Sequence, residues 1–131
     1  MAELLLRQIL PIELSNGNTG RSSKWFSSAK LRKQYEADLR LQGFSRTPFE
    51  DQTSVIVTRY LKPRQSKWDS SSCGRGNYKE IEDALVALGW WHDDAPKWIS
   101  ETRFRQDDTC RDQPQLAGKT MIEVYGRRLN L

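Results

Sequence analysis

The run Asn77-Tyr78-Lys79-Glu80-Ile81-Glu82-Asp83-Ala84-Leu85-Val86-Ala87-Leu88-Gly89-Trp90-Trp91-His92-Asp93-Asp94 constrains this chain more than any other. Tyr78, Ile81, Leu85 and Leu88 recur at helical spacing, so one face is apolar and has to bury against something, most simply a sheet. Asn77 suits the N-cap, Glu80 follows three residues later as its capping-box partner, and Glu80, Glu82 and Asp83 favour the positive end of the helix dipole. Gly89 is the predicted stop, because glycine accepts the left-handed conformation just past a helix. Two bulky aromatics and an acidic pair then follow.

Adjacent carboxylates repel each other, so Asp93-Asp94 has to be solvated, paired or bound to a cation. Oxygen donors of this kind suit Mg²⁺, which is usually held by one or two carboxylates with water and substrate phosphate. The simpler alternative is a solvated turn, which Asp tolerates well. On the polar helix face Lys79 and Asp83 stand one turn apart. As a plain surface pair they would contribute only about 0.3–0.5 kcal/mol.

The charge is unevenly spread. The net value is +4, with 21 Lys and Arg against 17 Asp and Glu, a mild lean toward polyanions. Arg21, Lys24, Lys30, Arg32, Lys33 and Arg40 face only Glu36 and Asp38 in the same segment. Lys62, Arg64, Lys67 and Arg75 surround a single Asp69, while carboxylates gather at Glu80–Asp83 and Asp93-Asp94. A cationic surface beside an acidic pocket is what a metal-dependent nuclease needs: cations hold the phosphate backbone and carboxylates hold the metal. No apolar run approaches a membrane span, which leads to the expectation of a cytoplasmic protein without membrane contact. Cys73 and Cys110 do not make a disulfide framework in 131 residues, and with His92 they offer no close zinc-ligand spacing.

Taken in order, residues 3–13 read as a first strand with Pro11 near its end, and the Ser/Asn/Gly run from Ser15 to Ser23 as a loop. A helix is predicted over 27–41, with Leu31, Tyr35 and Leu39 on one face and a basic outward face. Val55-Ile56-Val57-Thr58 is β-branched and continuous, the pattern of a buried central strand within 52–61. Residues 62–76 form a long polar connection, read as a mobile loop over the site. After the helix that begins at Asn77, Lys97–Gln106 reads as a half-buried strand and Lys119–Tyr125 as a last one. The expected fold is a single α+β domain, a mixed four-stranded sheet with two helices in the order β-α-β-α-β-β.

That order and the run around Lys79 resemble the RusA family of Holliday-junction resolvases, small Mg²⁺-dependent endonucleases that act as homodimers. The likeness lies in Leu10-Pro11 closing the first strand, the Asn/Gly-rich loop after it, and Lys79-xxx-Asp83-Ala84-Leu85-xxx-Gly89 followed by an aromatic and Asp93-Asp94. By that resemblance Asp94 is a metal-binding carboxylate and Lys79 the catalytic lysine that stabilises charge on the phosphate. Asp93, Asp83 and Asp69 are the further candidate ligands. The family's Asp-x-Asp-Asn step before the helix has no direct counterpart: ungapped counting back from Lys79 meets Cys73, Arg75 and Gly76. With an insertion, Asp69 and Asn77 take the outer two places and nothing acidic fills the middle one. Lys24, Lys30, Lys33, Arg64, Lys67 and Arg75 are the candidate phosphate contacts. The implied activity is structure-selective cleavage of branched DNA, and the rival expectation is a catalytically silent nucleic-acid-binding relative. Of the five tryptophans, Trp90, Trp91 and Trp98 suit a core or dimer interface, whereas Trp25 and Trp68 suit stacking on bases.

Overall fold

The computed structural model describes residues 2–16, 27–69, 72–109 and 112–126. Strand β1 (Leu4–Leu10) is followed by helix α1 (Ser28–Leu41), strand β2 (Thr53–Tyr60), helix α2 (Tyr78–Ala87), strand β3 (Ile99–Asp107), a 3-10 turn (Pro114–Leu116) and strand β4 (Thr120–Tyr125). The strands make one mixed sheet in the order β1-β4-β2-β3. The α+β architecture and the element order are those predicted from the sequence.

Each element has a local cause. Ser27 caps α1 by accepting a hydrogen bond from the Lys30 backbone N–H at 3.1 Å. β2 and β3 are parallel, so they need a crossover, which α2 provides. The last strand returns antiparallel into the slot between β1 and β2. This leaves β2 covered on both edges and both faces, and every one of its residues is buried or nearly so, as its run of β-branched side chains requires.

Alternation divides the sheet. Leu10, Val55, Val57, Ile122 and Val124 point to the face that carries Leu39 of α1 and Ile81 and Leu85 of α2, and these form one core. On the opposite face Glu123 is buried and held by the Arg7 guanidinium, with Oε2 accepting from Nε at 3.1 Å and from a terminal nitrogen at 2.8 Å.

Trp90 and Trp91, each 1% exposed, complete that core. Both indole N–H groups are satisfied, as burial demands: Trp90 donates to the Phe44 carbonyl at 2.7 Å and Trp91 to Thr53 Oγ1 at 2.9 Å. Gly89 sets them up. Its φ is +94°, and a Cβ there would stand 2.2 Å from the Arg46 carbonyl oxygen, so a side chain is excluded twice over.

One local expectation fails. Asn77 sits at the start of α2, but its side chain makes no cap bond. Its amide donates instead to the Glu13 carbonyl and to Tyr35 Oη, each at 2.8 Å, while its Oδ1 accepts from the Ser15 N–H at 2.8 Å. A buried carboxamide meets its hydrogen-bonding needs wherever donors and acceptors are available, and here the chain after β1 offers two and α1 a third. Glu80 likewise accepts from Ser28 Oγ at 3.0 Å rather than closing a capping box.

Candidate functional site

The amphipathic geometry of α2 decides what its polar face can do. With the apolar stripe buried, Lys79, Glu82 and Asp83 fall on the opposite side at i, i+3 and i+4, one turn of helix. Gly89 turns the chain back, and the segment behind Trp90-Trp91 returns Asp94 to the same place. One oxygen from each of Glu82, Asp83 and Asp94 can lie within 4.8 Å of the others. Lys79 reaches all three: its ammonium is 3.5 Å from Glu82, 3.1 Å from Asp83, and in direct contact with Asp94.

The three acids are not equivalent. Asp94 is the most exposed, and its hydrogen bond from Lys79 holds its carboxyl below the usual aspartate range. Glu82 is largely buried, and that burial pushes its carboxyl above the usual range even though Lys79 pulls the other way. Lys79 responds in turn and is held more tightly protonated than a free lysine, first through Asp94 and then through Asp83.

Around this cluster runs an open cleft of about 370 Å³, lined by Arg32 and Glu36 of α1 and by Asp83, Val86, Asp93 and Asp94. The structure therefore brings Lys79, Asp83 and Asp94 together. It does not add Asp93, whose carboxylate accepts from the Ala95 N–H at 2.8 Å as a turn-former on the cleft rim. Asp69 is exposed in the 62–76 connection and belongs to no such group among the described residues. That connection is anchored rather than loose at Cys73, which is 1% exposed within the core. Arg75 and Asp69 stay on the surface, and Asn77 serves the Glu13–Ser15 segment.

Of the candidate phosphate contacts, Lys30 and Lys33 lie on α1. Arg64 holds a left-handed backbone, φ 71°, in the Lys62–Gln65 turn. Lys67 is exposed beside Trp68, and Lys24, with Trp25 and Cys110, lies outside the described residues. His92 packs against Trp98 with ring centroids 4.6 Å apart and the ring planes tilted by 50°. Two members of the site escaped the sequence reading. Glu82 was absorbed into the run of acids that favours a helix start, although its i+3 spacing from Lys79 was a usable signal. Arg32, one of many cations on α1, reaches the cleft only because α1 packs against α2.

No protein-family model matches the chain, and no curated protein matches it. Among the described residues, no helix is long and apolar enough to cross a membrane.

Proposed function

We propose that this protein is a cytoplasmic, Mg²⁺-dependent endonuclease that cleaves branched DNA such as Holliday junctions and acts as a homodimer. The observation that carries the reading is the convergence of Glu82, Asp83 and Asp94 around Lys79. The choice of branched DNA and of a dimer rests on the resemblance to the RusA family.

The donor set fits the cation. Three carboxylates are hard oxygen ligands of the kind Mg²⁺ takes, and one oxygen of each lies within 4.8 Å of the others. When bound, Mg²⁺ supplies water activation and neutralises charge on the phosphate. Glu82, Asp83 and Asp94 would hold it. Lys79, whose side chain is 58% exposed, has room to leave the cluster and donate to a non-bridging phosphate oxygen as negative charge builds there. Arg32 at the cleft, with Lys30 and Lys33 on the same helix, would fix the flanking phosphates.

A second reading is favoured by a specific observation: Lys79 already compensates the acids, and Cys73 and Arg75 stand where the resemblance calls for carboxylates. In that case the chain binds nucleic acid without cutting it. One assay separates the two. A four-way DNA junction is incubated with Mg²⁺ and the wild-type, Asp94→Asn or Lys79→Ala protein. The nuclease reading expects cleavage that Asp94→Asn abolishes and Lys79→Ala lowers by about 10²–10³. Salt-sensitive binding without cleavage supports the silent relative. Cleavage that survives Asp94→Asn sinks the assignment of this site.

A further inference from the structure

A second cavity, of about 490 Å³, opens beyond the carboxyl ends of β1 and β2 and shares no residue with the acid cluster. At its back is Arg59, on the same face of β2 as Val55 and Val57 but past the end of the core, and only 3% exposed.

Arg59 is unusual in what it lacks. Its guanidinium lies over the Trp68 ring, 3.4 Å from the centroid. One terminal nitrogen donates to Gln106 Oε1 at 2.8 Å and to the Ser66 carbonyl at 3.4 Å. Among the described residues, which include all 17 Asp and Glu side chains, no carboxylate lies within ion-pair distance of it. Glu13 lines the cavity, but it is taken up by Lys62 at 2.8 Å and Gln65 at 3.3 Å. Nor does an acceptor among the described residues take the other guanidinium N–H groups, and they are not sealed in. A buried charge without a contacting counter-charge is costly, and burial weakens this guanidinium's hold on its proton more than the more distant Glu13 carboxylate strengthens it.

We propose that this cavity binds a nucleotide, with its phosphate on Arg59 and Lys67 and its base against Trp68. Arg offers a flat fork matched to phosphate oxygens, and Lys67 adds a second positive charge at the mouth. The indole, one face of which Arg59 covers, lines the cavity and offers a base the rest of its apolar surface, and the volume falls within the range of small-molecule sites. The nucleotide comes either free or as an unpaired unit of a strand, since both present the same phosphate and base. The proposal uses none of the acid cluster, so either can fail alone, and where the nucleotide belongs to a strand it extends the nucleic-acid reading.

The test is titration of the full chain, by calorimetry and by NMR of the Trp68 indole N–H, with deoxythymidine monophosphate, thymidine, inorganic phosphate and oligothymidylate. Deoxythymidine monophosphate or oligothymidylate is expected to bind and to move the Trp68 signal. Thymidine and phosphate alone should each be weaker by roughly tenfold or more. Tighter binding of the oligonucleotide identifies a strand as the source, and equal or weaker binding identifies the free nucleotide. Arg59→Lys, which keeps the charge but loses the fork and the stack, should weaken binding by roughly tenfold or more. Lys67→Ala, at an exposed position that leaves the fold intact, should weaken it by a smaller factor. Asp94→Asn should change nothing. Failure of both nucleotide probes to bind overturns the proposal. So does thymidine or phosphate binding as well as the monophosphate, or binding indifferent to Lys67→Ala.

Discussion

The two cationic groups at the two cavities are handled in opposite ways. Lys79 is half in water and surrounded by three carboxylates, while Arg59 is buried with none in reach. At the first, water screens the charges and their attraction is worth little to the fold. At the second, the fold bears a desolvated charge supported only by an amide, a carbonyl and an indole ring. An over-compensated cation leaves acids with negative charge to spare, which suits metal binding. An under-compensated one leaves positive charge to spare, which suits an anion.

Three measurements press on that contrast. Replacing each cation by methionine should separate them most. Arg59→Met relieves a desolvated charge, which offsets the lost hydrogen bond and the contact with Trp68, and should be neutral or stabilise by about 1–4 kcal/mol in urea unfolding. Lys79→Met removes exposed pairs and should cost under about 1 kcal/mol. If Arg59→Met proves the more destabilising, the contrast is wrong. Second, Lys79→Met should raise Mg²⁺ affinity at the acid cluster, because three acids then lack their internal cation; calorimetry showing no gain would mean that these carboxylates do not serve a metal.

The smallest effect is in titration. Asp94 is held low by Lys79, so its stabilising contribution is present above the ordinary aspartate value and is lost as pH falls through its lowered folded value. Glu82 is held high by burial, so its ionised form opposes folding at neutral pH, and that cost is relieved as pH falls through its raised value. Carboxyl NMR should therefore show Glu82 protonating before Asp94 on acidification. Both should titrate at higher pH in Lys79→Met.

The fold was legible because its signals are periodic. Val55–Thr58 marked a strand buried on both faces, and Tyr78, Ile81, Leu85 and Leu88 marked the stripe of α2. The position of Gly89 identified the helix end for a reason that is visible in its φ. The site was legible only where it is local. Lys79 and Asp83 share a turn, and Asp94 joined them through the resemblance. Glu82 and Arg32 depend on side-chain direction and on how α1 packs against α2, which no spacing along the chain encodes. Arg59 was hidden for another reason: one cation at the end of an apolar strand looks like an ordinary polar boundary until the lack of a carboxylate partner is seen. Asn77 shows the same limit in reverse, since a good capping residue was recruited by the chain after β1.

That recruitment has a kinetic consequence. Ser15 and Asn77 are 62 residues apart, and Ser15 follows β1 on a stretch with no ladder of its own. Its amide is nonetheless donated to a buried acceptor, so exchange with deuterated water should be as slow there as inside the sheet and should accelerate only when α2 detaches. A single slow proton in an irregular segment would then time the opening of the helix that carries Lys79.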